Sequence, residues 1–290
     1  MGVRRAVELA TAPDADGNSG GAVYTLGPLI HNPYVLDDLK KRGVKILDPS
    51  NPETISAENL KDSSVIIRAH GVSPDIEALL TRCGARVIDA TCPKVKSSQL
   101  KARNLSEQGY VVFIAGEKDH AEVTGICSYI KGKYFVTADP VEAAAAAAEL
   151  SASAADAKTM LLAQTTLNAE VFFFIGEAIR KYFPKLEIVN TICKATTERQ
   201  AALKDLCGRV DAIIIAGGRD SANTRRLLSI AEAAGKKAWL VEGSDDVPAE
   251  IFSFDVVGLA AGASTPDSVI DGIERILEAF PKLQFLEKQP

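Results

Sequence analysis

The sequence predicts an α/β protein built from three similar small units, each with a parallel sheet. Two observations lead to this fold class: short β-branched runs alternate with helix-length amphipathic segments, and part of this pattern repeats along the chain. Helices are expected after most strands, with Pro74, Pro140 and Pro266 where they begin. The predicted strands are Val23–Leu26, Val65–Ala69, Val111–Ala115, Met160–Ala163, Ala212–Ala216 and Val256–Ala260.

The repeat sets the predicted domain organisation. A shift of 101 residues places Cys92 on Cys193 and Gln99 on Gln200, and each copy runs cysteine, helix, strand, polar loop. A second polar loop after a strand occurs three times, the first at Ala69-His70-Gly71. We therefore expect units at 1–91, 92–191 and 192–280, with the tail 281–290 packing on the first. Their strand-end loops should face a shared centre in a pseudo-threefold arrangement, as ligands of open parallel sheets bind at the carboxyl ends of strands.

Composition favours a small-molecule partner. The net charge is -5 and 24% of residues are charged, so the chain has no basic excess of the kind that binds nucleic acid or an anionic membrane. The longest apolar runs fall far short of the ~20 residues of a membrane helix. The first residues show no apolar signal core. We expect a cytoplasmic protein.

Candidate binding residues lie in the loops after the predicted strands. All three histidines of the chain, His31, His70 and His120, are in such loops. Mostly neutral hydrogen-bonding residues with few charges accompany them, and loops of this kind can hold a phosphate group. Neither GxGxxG nor GxxxxGK[ST] occurs, which disfavours a standard nucleotide site. The accompanying residues are Glu122, Gln164, Thr165, Thr166, Ser221, Asn223 and Ser264.

The cysteines indicate a metal centre rather than disulfides. There are five, an odd number with no CxxC pair. Cys92 and Cys193 begin the repeated segments, and the same pattern in the first unit would put a third cysteine close to Met1 or just before it. Three thiolates suit an iron–sulfur cluster with one open iron, and a tetrahedral zinc site is the alternative. The other three, Cys83, Cys127 and Cys207, are expected to be packing residues.

Several ordered segments give the chain a specific family resemblance. The segments are Gly2-Val3-Arg4-Arg5-Ala6, Ile30-His31-Asn32, Ala69-His70-Gly71-Val72, Asp89-Ala90-Thr91-Cys92-Pro93, Gln164-Thr165-Thr166-Leu167, Cys193 to Gln200 and Gly262 to Asp267. Together they resemble the signatures of the 4-hydroxy-3-methylbut-2-enyl diphosphate reductase family over nearly the whole chain.

The resemblance implies a trefoil of three α/β domains around a 4Fe-4S cluster, with Cys92 and Cys193 as ligands. It implies reduction of the substrate to isopentenyl and dimethylallyl diphosphates, the last step of the non-mevalonate pathway, with ferredoxin or flavodoxin as electron donor. Glu122 would be the proton donor, assisted by Thr165 and His120. The substrate would be held by His31, His70, His120, Thr165, Thr166, Ser221, Asn223 and Ser264.

The sequence departs from the family pattern at two places. Ala222 stands where many members have serine. The pattern also places its first cysteine immediately before Met1, and a chain without that cysteine is expected to be inactive. Two alternatives to the reductase stay open: a cluster-free diphosphate-binding relic without redox activity, and a zinc hydrolase.

Overall fold

The computed structural model describes residues 2–11, 21–29, 32–280 and 284–287. Within them it contains three four-stranded sheets in which every strand pair is parallel. The three sheets share one strand order, in which the first strand of each lies between the second and the third, and the fourth lies at the edge. The predicted class, an α/β protein with three small parallel sheets, is therefore confirmed.

The first sheet has the order β2-β1-β3-β4. Its central strands are almost entirely buried, as is usual for parallel strands that are covered by helices. The strands are β1 (Val23–Leu26), β2 (Lys45–Leu47), β3 (Ser64–Ile67) and β4 (Arg86–Asp89), and the helices along this stretch are α1 (Gly2–Thr11), α2 (Pro33–Lys41), α3 (Pro52–Ala57) and α4 (Pro74–Arg82).

The second sheet repeats that order as β6-β5-β7-β8. One face packs on α7 and α8 around Phe113 and Leu161, and the other packs on α5 and α6 around Ile114 and Leu162. The strands are β5 (Val111–Ala115), β6 (Tyr134–Thr137), β7 (Thr159–Ala163) and β8 (Glu187–Val189), and the helices are α5 (Pro93–Glu107), α6 (Ala121–Cys127), α7 (Pro140–Ser153) and α8 (Ala169–Arg180).

The third sheet has the order β10-β9-β11-β12. Its fourth strand corrects one expectation: residues 284–287 of the tail pair with β11, from Val256↔Gln284 onwards, instead of joining the first unit. The strands are β9 (Ala212–Ala216), β10 (Lys237–Val241), β11 (Val256–Ala261) and β12 (Gln284–Glu287). The α-helices are α9 (Lys194–Cys207), α10 (Ala222–Ala233) and α11 (Asp267–Glu278), and 3-10 helices cover Ser244–Asp246 and Ala249–Ser253.

The described chain divides into two compact units. One comprises Met1–Leu29 with Gly43–Cys193 and holds the first two sheets, and the other comprises Ile30–Arg42 with Lys194–Pro290 and holds the third. Helix α2 therefore belongs with the third sheet, where Asn32 at its start donates from Nδ2 to the Glu242 carbonyl over 3.5 Å. The three-domain boundaries inferred from the repeat stay a prediction. No helix among the described residues has the length and apolar character needed to cross a membrane.

Candidate active site

Glu122 and Thr165 form a buried pair at the carboxyl edge of the second sheet. Glu122 lies in the first turn of α6 after β5, and Thr165 follows β7, the neighbouring strand. Thr165 donates twice to the carboxylate: its backbone N lies 2.6 Å from Oε1 and its Oγ1 lies 2.8 Å from Oε2. Burial raises the pKa of Glu122 from 4.5 to about 7, although the two hydrogen bonds act in the opposite direction. A carboxyl group with a pKa near 7 is suited to give up a proton at neutral pH.

Two histidines lie beside this pair. His120 caps α6, and its Nδ1 accepts from the backbone N of Glu122 over 3.2 Å. The His70 ring packs edge-on against the His120 ring, with centroids 5.3 Å apart and planes at 87°. His70 comes from the loop after β3 in the first sheet, and both histidines are partly exposed. The structure therefore brings together four of the predicted residues, which come from the loops of two different sheets: His70, His120, Glu122 and Thr165.

Gln164 and Thr166 fix the loop that carries Thr165. The Gln164 side chain is buried, accepts from the backbone N of Glu117 over 3.0 Å and donates from Nε2 to Thr166 Oγ1 over 2.9 Å. Its position requires Gly116, because a Cβ atom at Gly116 would lie 2.8 Å from Gln164 Oε1. The loop after β7 is therefore held by a hydrogen bond to the loop after β5.

Cys92 occupies a position that normally holds a helix-capping residue. Four other helices begin with proline preceded by a side chain that accepts a capping hydrogen bond, namely Asn32, Asn51, Ser73 and Asp139. Cys92 precedes Pro93 in the same way but makes no side-chain cap bond. Since a lost cap costs a helix about 1 kcal/mol, a cysteine here indicates a role other than helix stability.

The two repeat-related cysteines are held by equivalent backbone bonds. The Cys92 N donates to the Ala69 carbonyl and the Cys193 N to the Thr165 carbonyl, each over 2.9 Å. Ala69 precedes His70, and Thr165 is the partner of Glu122. Each candidate metal ligand is therefore attached to a loop that carries a candidate substrate residue.

The chemistry of these cysteines fits a thiolate-held metal centre. Cys92 and Cys193 are both free and only partly buried, and each directly precedes a helix. Of the residues that the structure describes, no group of three or more His, Cys, Asp or Glu side chains is placed to hold a metal ion. The described chain thus supplies two candidate cysteine ligands, Cys92 and Cys193, and a complete set of metal ligands needs further residues.

A second polar cluster lies at the carboxyl edge of the third sheet. Ser221 caps α10 after β9, Asn223 lies in the first turn of that helix, and Ser264 follows the adjacent strand β11. Ser221 and Asn223 are nearly buried, and Asn223 Nδ2 has no hydrogen-bond partner within the described part of the chain. Thr265 fastens the two loops together by donating from Oγ1 to the Ala216 carbonyl over 2.9 Å. These are polar groups at one sheet edge with unused donor capacity.

One predicted residue, His31, lies outside the described residues. Its neighbour Asn32 is buried, caps α2 by accepting from the backbone N of Val35, and contacts Glu242. Ala222, where the family pattern favours serine, is a buried residue at the start of α10.

Sequence reasoning missed the role of Thr191. Its hydroxyl accepts from the backbone N of Ala163 over 2.8 Å and donates to the Ala163 carbonyl over 2.5 Å. This pair of bonds holds the chain two residues before Cys193 against the end of β7. The available signal was a threonine two residues before a repeat cysteine.

The sequence profile of the LytB protein family matches residues 1–278. The chain belongs to this family. It is 45% identical over 278 residues to the 4-hydroxy-3-methylbut-2-enyl diphosphate reductase of Treponema denticola, covering 95% of this chain and 94% of the relative. The enzyme of the same name from Aquifex aeolicus is 38% identical over 278 residues, covering 94% and 91%.

Solved structures agree with this assignment. A (E)-4-hydroxy-3-methyl-but-2-enyl diphosphate reductase, described as the terminal enzyme of the non-mevalonate pathway, matches with a TM-score of 0.69 at 36% identity over 96% of this chain and 95% of its own. The Plasmodium falciparum reductase matches over 100% of this chain and 89% of its own with a TM-score of 0.87, and at 24% identity it supports the fold alone. Membership of the family implies an iron–sulfur oxidoreductase.

Proposed function

We propose that the protein catalyses the reductive dehydroxylation of 4-hydroxy-3-methylbut-2-enyl diphosphate to isopentenyl and dimethylallyl diphosphates. The reaction consumes two electrons and two protons, breaks the allylic C–O bond and releases water. The observation that carries the proposal is Thr165, which joins a buried acid to a candidate metal ligand: its N and Oγ1 bond Glu122, and its carbonyl accepts from Cys193. Proton donor and electron source would then act on the same carbon–oxygen bond.

Glu122 is the proposed proton donor. Its raised pKa keeps a large fraction protonated at neutral pH, and Thr165 fixes both carboxyl oxygens. His120 is the proposed source of a new proton for Glu122, a role supported by its position at the cap of the same helix turn and by its partly exposed ring. Thr165 orients either the carboxyl group or the substrate hydroxyl.

The diphosphate is proposed to be bound by histidines and by uncharged side chains that donate hydrogen bonds. The His70 and His120 rings are in contact at the loops after β3 and β5, while Ser221, Asn223 and Ser264 line the edge of the third sheet. Asn223 Nδ2, which lacks a partner among the described residues, has a donor free for a phosphate oxygen. His31, Thr165 and Thr166 complete the proposed set.

Cys92 and Cys193 are proposed to hold a 4Fe-4S cluster, with the third thiolate supplied by the cysteine that the family pattern places immediately before Met1. When bound, such a cluster supplies electrons and a Lewis-acidic iron. The support from this chain is the cap position of Cys92, which costs helix stability, and the matched backbone bonds of both cysteines. The electron donor is proposed to be a ferredoxin or flavodoxin, and the compartment the cytoplasm.

The test compares Cys193→Ser with Cys207→Ser in a longer form that begins Gly-Phe-Cys before Met1. Cys193 and Cys207 stand at opposite ends of α9, and Cys207 is buried in the core. After anaerobic reconstitution we expect the parent and Cys207→Ser to bind iron and sulfide and to reduce the substrate with dithionite and methyl viologen. Cys193→Ser should lose both properties.

Three outcomes separate the alternatives. A colourless but fully active Cys193→Ser variant would refute the cluster assignment. Substrate binding without turnover by the reconstituted parent would favour the cluster-free diphosphate-binding relic. Stoichiometric zinc in the active protein would favour the hydrolase.

A further inference from the structure

Gln99 is a buried amide that the proposed reaction has not used. It lies on α5, seven residues after Cys92, and its side chain is 0% exposed. Neither Nε2 nor Oε1 has a hydrogen-bond partner within the described part of the chain. A buried primary amide without partners is less favourable than an apolar side chain of the same shape, so folding alone does not account for it.

Two glycines open the space that this amide occupies. A Cβ atom on Gly71 would lie 2.4 Å from Gln99 Nε2, and Gly71 has a φ of +73° that disfavours other residues. A Cβ atom on Gly125 of α6 would lie 3.3 Å from the same nitrogen and 3.2 Å from the His70 carbonyl oxygen. Gln99 Nε2, the His70 carbonyl and Gly125 therefore share one small region of the interior.

This region joins three parts of the candidate active site. The first is the helix that begins after Cys92, the second is the His70–Gly71 loop, and the third is α6, which carries His120 and Glu122 in its first turn. The His70 and His120 rings are in contact there. A small displacement of the His70 loop would change which acceptor the amide can reach.

We propose that Gln99 is a positioning residue: on binding of the substrate diphosphate, its amide donates to the backbone carbonyl of the His70 loop. The bond holds His70 against His120 and Glu122. The proposal rests on the proposed function, in which His70 binds the diphosphate. The amide is thus unsatisfied in the free protein and satisfied in the complex, so binding gains a hydrogen bond that folding does not use.

The repeat gives this inference an independent observation. Gln200 is the residue that the 101-residue shift places on Gln99, it is nearly buried on α9, and its Nε2 also lacks a partner among the described residues. The same helix position after each repeated cysteine therefore carries a buried amide with an unused donor.

The experiment uses Gln99→Met, which keeps the unbranched shape, and Ser98→Ala as the matched control. Ser98 is the neighbouring buried polar residue on α5, and the hydrogen bond of its hydroxyl in the described part of the chain lies within its own helix, to the Lys94 carbonyl. In the reconstituted longer form we expect Gln99→Met to melt at the same or a higher temperature. Its KM should rise about tenfold, the value of one hydrogen bond of about 1.4 kcal/mol, with kcat within about twofold. Ser98→Ala should keep the parent KM.

A second measurement needs no turnover. In 15N-labelled protein without the cluster, the Gln99 side-chain amide signals are assigned by their loss in Gln99→Met. Inorganic pyrophosphate should shift one of these proton signals downfield as the bond forms, together with the imidazole signal of His70. An unchanged KM in Gln99→Met, or Gln99 amide signals that stay in place while the His70 signal moves, would overturn the proposal. A parent without reductase activity would instead refute the proposed function, and the pyrophosphate titration would still test Gln99.

Discussion

Replacing Glu122 by glutamine should make the free protein more stable at alkaline pH. The wild-type carboxyl group has a pKa of about 7 in the folded state against 4.5 normally, because it is buried. The folded state therefore holds the proton more tightly than the unfolded state between these values. This contribution to stability is fully present below pH 4.5 and is lost as the pH rises to about 7. At ~1.4 kcal/mol for each pH unit, the loss amounts to about 3 kcal/mol.

Glutamine fits the same site without a pH-dependent charge. Its Oε1 can accept from the Thr165 N, and its Nε2 can donate to Thr165 Oγ1, at the positions where the carboxylate oxygens lie now. The assay is urea unfolding of the cluster-free protein from pH 5 to pH 8.5. Over this range the free energy of unfolding of the wild type should fall with rising pH. In Glu122→Gln this fall should be smaller, by up to about 3 kcal/mol.

The matched control is Glu170→Gln. Glu170 is the second residue of α8, as Glu122 is of α6, but it is exposed. This control should follow the wild-type pH profile. If Glu122→Gln followed it too, the carboxyl group would not be held with a raised pKa, and its role as a proton donor at neutral pH would lose its physical basis.

Thr165→Val removes the hydroxyl that bonds Glu122 Oε2, so the pKa of Glu122 should rise further and the pH dependence of unfolding should move upwards; an unchanged profile would show that the hydroxyl does not act on the carboxylate. Thr191→Val leaves the Ala163 N and carbonyl without their buried partner, so it should lower the free energy of unfolding in urea by about 1–3 kcal/mol. A change near zero would mean that solvent replaces both bonds. Burial raises the pKa of Cys127 from 9.0 to about 11. Iodoacetamide at pH 8 should therefore modify Cys127 roughly a hundredfold more slowly than it modifies an unstructured cysteine peptide, as measured by mass spectrometry. Equal rates would contradict the raised pKa.

The central strands could be predicted from the sequence because helices cover both of their faces. β1, β5 and β9 have the predicted bounds, and β3, β7 and β11 differ by one or two residues. Their runs are short and rich in β-branched residues, which favours buried strands over buried helices. The edge strands were not predicted: β2 and β8, for example, have three residues each with mostly exposed side chains. Such strands are fixed by their neighbours more than by their own composition.

The candidate site was predictable in its residue types but not in its contacts. The strand-end rule gathered His70, His120 and Glu122 at carboxyl edges, since loops there converge. Nothing in the spacing indicated that Thr165 would bond both Glu122 oxygens through its N and Oγ1, because that pairing depends on the register of β5 and β7. Gln99 was visible only as a member of the repeat, because on a helix rich in lysine and serine a glutamine resembles a surface residue.

The path of the chain limits how this protein can be divided. The polypeptide passes between the two compact units at Leu29–Ile30, at Arg42–Gly43 and at Cys193–Lys194. A gene cut once after Cys193 would yield an amino-terminal fragment that still carries α2, the helix whose partner Glu242 lies in the other fragment. Split reporters or fragment complementation at this junction would therefore separate α2 from its own unit, whereas moving the α2 coding segment to the other fragment would keep the residues of each unit on one fragment.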